Sequence, residues 1–317
     1  MGKFIGLLLI GELTALAYIG GVSEAAVLTG ISYLLFPELA ALSYDVFTRP
    51  RGTWASSPFL LIITPLITAI IGLLIEQHLG YSAYSVLLSI AIALLVIRLL
   101  NSPIAPAIPA GLLPIFLEEK SWWYPVSILL GTSVLVLGLQ VYKRIFSKII
   151  PQVKSPSSLI DDIVEQPPRR YSWLPVFALF LLADAALAKL TGLRFIMFPP
   201  LVVIAFEMFA HSDVCPWANR PALLITACTL AAAAGVAFEM LMGNNPLSVM
   251  LSMAVAMGLI RIFRLHAPPA VAIGLLPFVI EHPDFSFPLA VFAGTLLLVG
   301  MFAVHRAIIS RSARRTG

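Results

Sequence analysis

The sequence predicts an all-α polytopic membrane protein of two tandem repeats, each with about six segments and proline-broken half-helices. Three observations carry this expectation. Of 317 residues, 60% are hydrophobic and only 11% are charged, with a mean hydropathy of +0.97, whereas soluble domains carry roughly 25% charged residues. Apolar runs fill nearly the whole chain between short polar breaks, and a membrane helix needs about 20 such residues. The chain also aligns with itself. The first two observations exclude an ordinary soluble enzyme and a disordered chain. Continuous runs, rather than alternation over about 10-residue segments, exclude a membrane β-barrel.

The repeat is gapless over most of its length. With a shift of 163, residues 58–143 align to 221–306, and about 28 of those positions are identical. Matched Leu, Ile and Ala mean little in apolar helices. Matched breakers and charges mean more, and they include Pro58/Pro221, Gly72/Gly235, Glu76/Glu239, Gly80/Gly243, Arg98/Arg261, Pro106/Pro269, Gly111/Gly274, Pro114/Pro277 and Glu118/Glu281. A shift of 162 pairs Phe36-Pro37 with Phe198-Pro199 and Asp45 with Glu207. The chain therefore divides into a first membrane repeat (1–150), a linker (151–171) and a second membrane repeat (172–317). The linker region holds the longest polar stretch and most of its breakers, and it reads as a plain tether.

The six segments of the first half lie near 4–21, 25–47, 58–79, 83–100, 103–117 and 124–143. Those of the second lie near 173–190, 194–210, 221–242, 246–263, 267–280 and 287–306. The first segment has one preceding lysine, Lys3, and no convincing cleavage site, so it reads as a retained helix. Loops with Arg49 and Arg51, Arg98, Lys143 and Arg144, Arg220, Arg261 and Arg264, and the tail with Arg311, Arg314 and Arg315, are basic. The alternate breaks are acidic or neutral, with Lys189 and Arg194 as exceptions. The positive-inside rule then places both termini and the linker in the cytoplasm, and a bacterial inner membrane fits the short loops, with an organelle membrane as the alternative. Six crossings per half would give the halves one orientation, related by a pseudo-two-fold along the membrane normal. A re-entrant fifth segment would invert them.

Two segment types are unusual for lipid. The second segment is broken at Phe36-Pro37-Glu38, matched by Phe198-Pro199-Pro200, and the fifth begins with Pro103 and Pro106 or with His266-Ala267-Pro268-Pro269. Proline removes a helix hydrogen bond and pushes the preceding residue out of the α region. Each break therefore predicts an extended stretch followed by a fresh half-helix, such as Ala270 to Ile280. A half-helix starting at membrane depth aims its free N–H groups and positive dipole end inward, a ready anion site. Prolines packed against neighbours without any ligand are the competing reading.

Ionisable residues within apolar segments mark pathways or proton relays by default. Glu12 and Asp184 sit mid-segment in the first segment of each half, and Glu38 follows a break. Asp45 and Glu207 fall near segment ends and read as interfacial. Arg98 and Arg261 sit near helix ends, where they snorkel, hold freed carbonyls or attract an anion. The candidate pathway residues are therefore Pro37, Glu38, Pro103, Pro106, Pro199, Pro200, Arg261, His266, Pro268 and Pro269. Glu12, Asp184 and Glu207 are candidates for proton coupling. The two cysteines, Cys215 and Cys228, have no metal spacing and form no disulfide framework. No catalytic set, cofactor motif or metal-ligand spacing stands out, and the scattered basic residues give no support to nucleic-acid binding.

At these residues the sequence resembles the HPP family of integral membrane proteins, named for a His-Pro-Pro motif. The second half carries Phe198-Pro199-Pro200, then Asn219-Arg220-Pro221, then Arg264-Leu265-His266-Ala267-Pro268-Pro269-Ala270. The match spans about 173–306 and, through the repeat, about 25–143. Here the motif reads His-Ala-Pro-Pro, and the first half has Pro103 where the second has His266. Some members in plastids and cyanobacteria are regarded as nitrite transporters. The resemblance thus implies a transporter or channel, with a small monovalent anion as first substrate. The alternatives are a proton-coupled carrier of a cationic or neutral solute, or a non-transporting membrane scaffold. The expected partners are the lipid bilayer and a small solute or ion, with self-association left open.

Overall fold

Proline, glycine and polar caps cut the chain into helices. The computed structural model describes residues 2–151, 156–168 and 170–316, with side chains described at 6–151, 158–168 and 170–308. The side chains of Lys3, Arg311, Arg314 and Arg315 lie outside the described residues. The first half forms α1 (Gly2–Thr29), α2 (Glu38–Thr48), α3 (Pro58–Leu79), α4 (Ala83–Leu99), α5 (Ala107–Leu117) and α6 (Trp123–Ile145). The linker forms α7 (Pro156–Val164). The second half forms α8 (Leu174–Thr191), α9 (Pro199–Ala210), α10 (Pro221–Met242), α11 (Pro246–Ile262), α12 (Pro269–Ile273) and α13 (Ser286–Thr316). The shift of 163 carries α3 and α4 residue for residue onto α10 and α11.

Local chemistry sets these boundaries. Pro58 and Pro221 open α3 and α10, where a missing N–H costs nothing. Ser82 accepts a hydrogen bond from the Ser85 N–H at the start of α4, and Asn245 forms a full capping box with Ser248 at the start of α11. Gly80 and Gly243 end α3 and α10 at φ +65 and +73, a region that side chains disfavour.

Among the described residues six helices are long and apolar enough to cross a membrane: α1, α3, α6, α8, α10 and α13. The chain is a polytopic helical membrane protein. At 17 residues each, α4 and α11 reach about 25 Å. The short helices α2, α5, α9 and α12 form the core. From Glu38 to Phe47, Ala107 to Phe116, Pro199 to Phe209 and Pro269 to Ile273, every residue is buried, as expected of helices that are apolar all round. Core packing crosses the halves, with α12 against α2 and α5 against α9.

One end of the bundle carries the linker, Arg49 and Arg98, and we call it the linker face. At the far face, Arg194 pairs with Glu118 at 2.9 Å. The fifth segment traverses the bundle. It enters at the linker face, where the Trp54 indole donates to the Pro103 carbonyl at 2.9 Å, and ends beside Arg194 at Glu118. Among the described residues each half has three helices long enough to cross a membrane, with shorter helices between them.

The half-helix expected from Ala270 to Ile280 is broken. One turn of α12 stops at Ile273, and a 3-10 turn follows at Leu276–Phe278. Pro277 has no N–H to continue the ladder, and the bonds tighten, with Leu275 donating to Ala272 and Phe278 to Leu275. In the first half α5 runs through the matched Pro114 unbroken. The two fifth segments are held alike. Ser89 donates to the Gly111 carbonyl at 2.8 Å, and Ser252 to the Gly274 carbonyl at 2.7 Å. A Cβ at Gly72 or Gly235 would collide with those same carbonyls, so both glycines are required for close helix approach.

Candidate functional site

Four buried carboxylates, Asp45, Asp161, Asp162 and Glu165, meet at the linker face. Helix α2 ends there because its last turn holds Asp45 and its C-cap is Arg49, one turn later. The Arg49 guanidinium donates to Asp45 Oδ1 at 2.8 Å and to Asp162 Oδ1 at 2.6 Å, and it also pairs with Glu165. It contacts the Ser158 carbonyl at 3.3 Å and lies 3.4 Å from His266 Nε2. His266 Nε2 lies 3.4 Å from Asp45 Oδ1 and 3.7 Å from Asp161 Oδ2, and its ring packs beside Tyr44 with centroids 6.2 Å apart. The Thr53 N–H and hydroxyl both donate to Asp162 Oδ1 at 3.0 Å.

The cluster joins all three parts of the chain: Asp45 and Arg49 from the first half, Asp161, Asp162 and Glu165 from the linker, and His266 from the second half. The linker is therefore docked through α7 and is not the plain tether expected from its composition. Its carboxylates at 161, 162 and 165 share one side of a short helix, which turns them together toward Arg49. A second anchor sits at the matched position in the other half. Residue 49 shifted by 162 is His211, whose Nε2 lies 3.0 Å from the Gln166 carbonyl.

Burial sets the electrostatics. The Asp45 side chain is 0% exposed, that of Arg49 9% and that of His266 25%. Burial works against the Arg49 charge, but Asp45, Glu165 and Asp161 outweigh it and hold the guanidinium protonated. Burial, then the Asp45 charge, push the Glu165 carboxyl well above its usual range against the pull of Arg49. Burial also raises Asp161, against the pull of His266 and Arg49.

Asp45 and Glu207, both near segment ends, are buried within the protein. The linker covers the end of α2, and α9 is wrapped on all sides. Glu207 lies within electrostatic reach of Asp45 and Asp161. Among the other sequence candidates, Arg261 pairs with Glu12 at 3.2 Å across the halves. Arg98, its repeat equivalent, instead stacks over Tyr171 at 4.5 Å. Pro37, Pro106, Phe198-Pro199 and Pro268-Pro269 mark the starts of α2, α5, α9 and α12, with Pro200 in the first turn of α9 and Pro103 at the linker face. Both carboxylate oxygens of Glu38 and of Asp184, and one of Glu207, are buried with no hydrogen-bond partner among the described residues.

Two grooves separate α4 from α8. One, of about 470 Å³, lies toward the linker face between Leu87, Leu94, Arg98, Tyr171 and Phe177. The other, of about 290 Å³, lies toward the far face between Tyr81, Val86, Ala188 and Arg194. Their linings include none of the four half-helix starts. The equivalent pair, α1 and α11, is packed directly together.

Sequence spacing conceals this site, because Asp45, Glu165 and His266 are over a hundred residues apart at the extremes. The one local signal is the pattern Asp45 to Arg49, an i, i+4 pair at a helix end. Comparison with known proteins yields no match to a family model, to a curated protein or to a solved structure.

Proposed function

We propose that the protein is a membrane carrier for a small solute, coupled to protons or another cation, with its termini and linker in the cytoplasm. The observation that carries the reading is the set of buried, unpartnered carboxylates, Glu38, Asp184 and Glu207, in a repeat core of broken helices. Burying an unpaired charge is expensive, and intramembrane acids that face a protein interior mark ion pathways and proton relays. Short broken helices at the interface of parallel repeats are a common carrier architecture. The tight core around the half-helix starts favours alternating access over an open pore. The excess of acid over base favours a cationic or neutral solute.

A second reading is a small monovalent anion such as nitrite. It is supported by the four buried half-helix starts and by the resemblance to the HPP family. No enzymatic role is proposed.

The test is flux into proteoliposomes under an imposed pH gradient, with an interior pH dye. Nitrite, nitrate, formate and chloride are offered in parallel with potassium, manganese and neutral amino acids. Solute-dependent proton movement that is lost in folded Glu38→Gln and Asp184→Asn variants supports the carrier. Selective flux of one anion, indifferent to both variants, moves the reading to the anion path. No movement of any kind by folded protein leaves a membrane scaffold.

A further inference from the structure

We infer that the linker-face cluster is a binding site for one divalent transition-metal cation, with Asp45, Glu165 and His266 as ligands and Asp161 beside them. One ligand atom from each of Asp45, Glu165 and His266 lies within 4.8 Å of the others. His266 Nε2 and Asp45 Oδ1 are 3.4 Å apart. Two ligands bound at about 2.1 Å with tetrahedral angles are separated by about the same distance. Asp161 Oδ2, 3.7 Å from the same nitrogen, is placed to complete the set.

A second, independent observation points to a ligand. Asp45 Oδ2 and Glu165 Oε2 are buried and have no hydrogen-bond partner among the described residues. Buried acceptors of this kind are costly when unmatched. The charge count agrees. Asp45, Asp161, Asp162, Glu165 and Glu207 supply five carboxylates to this region, against one guanidinium and one imidazole. A divalent ion removes about half of that excess. A nitrogen ligand among carboxylates suits Mn²⁺, Fe²⁺, Co²⁺ or Zn²⁺ better than Mg²⁺ or Ca²⁺, which favour all-oxygen shells. The half-buried His266 ring gives the ion an entry path.

Arg49 defines how the site works. Its one terminal nitrogen lies among the same ligand atoms, 2.8 Å from Asp45 Oδ1 and 3.4 Å from His266 Nε2. Its other nitrogen is anchored on Asp162 and the Ser158 carbonyl. The guanidinium is a tethered cation in the place of the metal. Binding is an exchange, in which Arg49 keeps Asp162 and yields Asp45 and Glu165 to the ion. The site stands apart from the transport reading, because binding is measured on the resting protein.

The experiment uses the full chain in nanodiscs, stripped with chelator and titrated separately with Zn²⁺, Mn²⁺ and Mg²⁺. One Zn²⁺ or Mn²⁺ should bind per chain, and Mg²⁺ much more weakly. His266→Ala and Asp45→Asn should each weaken binding about tenfold or more. His266 is partly exposed, so its variant should keep the fold even where Asp45→Asn does not. The Mn²⁺-loaded wild type should show an imidazole-nitrogen coupling in pulsed electron paramagnetic resonance that His266→Ala lacks. Absence of saturable binding to the folded wild type overturns the site, as does binding that His266→Ala leaves unchanged in affinity and in nitrogen coupling.

Discussion

Replacing Arg49 by Gln should release the linker helix. The guanidinium reaches three carboxylates at once and is only 9% exposed. At an effective dielectric near 20, the pairs at 2.8 Å and 2.6 Å each represent about 6 kcal/mol of attraction. Desolvation of the buried ions cancels much of that, so the net worth of the assembly is small compared with its gross attraction. Removing one partner is different, because the carboxylates stay behind, buried and uncompensated. Such losses are typically about 3–5 kcal/mol. Even the lower figure changes the docking equilibrium of α7 by roughly a hundredfold, at about 1.4 kcal/mol per factor of ten. The assay is hydrogen exchange of residues 156–166 in nanodiscs, with peptides from α3 and α10 as internal references. Exchange of the linker peptide should rise by about that factor while the references hold. Unchanged protection of 156–166 in a folded Arg49→Gln protein would show that the remaining contacts of α7, with buried Val164 among them, dock it without the ion pairs.

Two further outcomes follow from the same geometry. The docked linker holds Glu165 and Asp161 above their ordinary carboxylate range, so the docked state binds protons more tightly than the undocked one. Their contribution to docking is then fully present below the ordinary range, near pH 4, and is lost as pH rises through the raised docked values; exchange of 156–166, corrected for intrinsic rate, should be faster at pH 8 than at pH 5.5, and the opposite order would refute the assignment. Gly72→Ala and Gly235→Ala each drive a methyl into a backbone carbonyl of the fifth segment, which should cost about 1–3 kcal/mol; thermal unfolding in detergent should fall for both, while Gly258→Ala, which meets open space, should leave it unchanged.

Much of this architecture is legible in the sequence because breakers are informative in lipid. Pro58, Pro221, Gly80 and Gly243 bound their helices at matched positions, since a membrane helix changes course only where its backbone bonds are released. The short core helices are legible for the same reason: Pro37, Pro106, Pro199 and Pro269 each stand at or beside a first turn. The interruption after Ile273 was not legible, because Pro114 and Pro277 are identical in sequence yet only one breaks its helix. The linker was the largest omission. Composition shows polar residues and breakers, which describe a tether and a docked helix equally well. What distinguishes them is a partner far away in sequence, and Arg49 reads locally as one more basic loop residue.

The docked linker also explains where the two halves diverge. A single nine-residue helix lying across both halves cannot present the same side chains to each. The positions that face it must therefore differ between the repeats, and they do. Arg49 grips the carboxylates of the linker, while its equivalent His211 takes a backbone carbonyl. His266 stands where the first half has Pro103, so one half offers an imidazole to Asp45 and the other offers a carbonyl to Trp54. Away from the linker, Ser89 and Ser252 make the same bond to matched glycine carbonyls. Contact with the one element that was not duplicated thus accounts for the difference between Arg49 and His211 at the linker face.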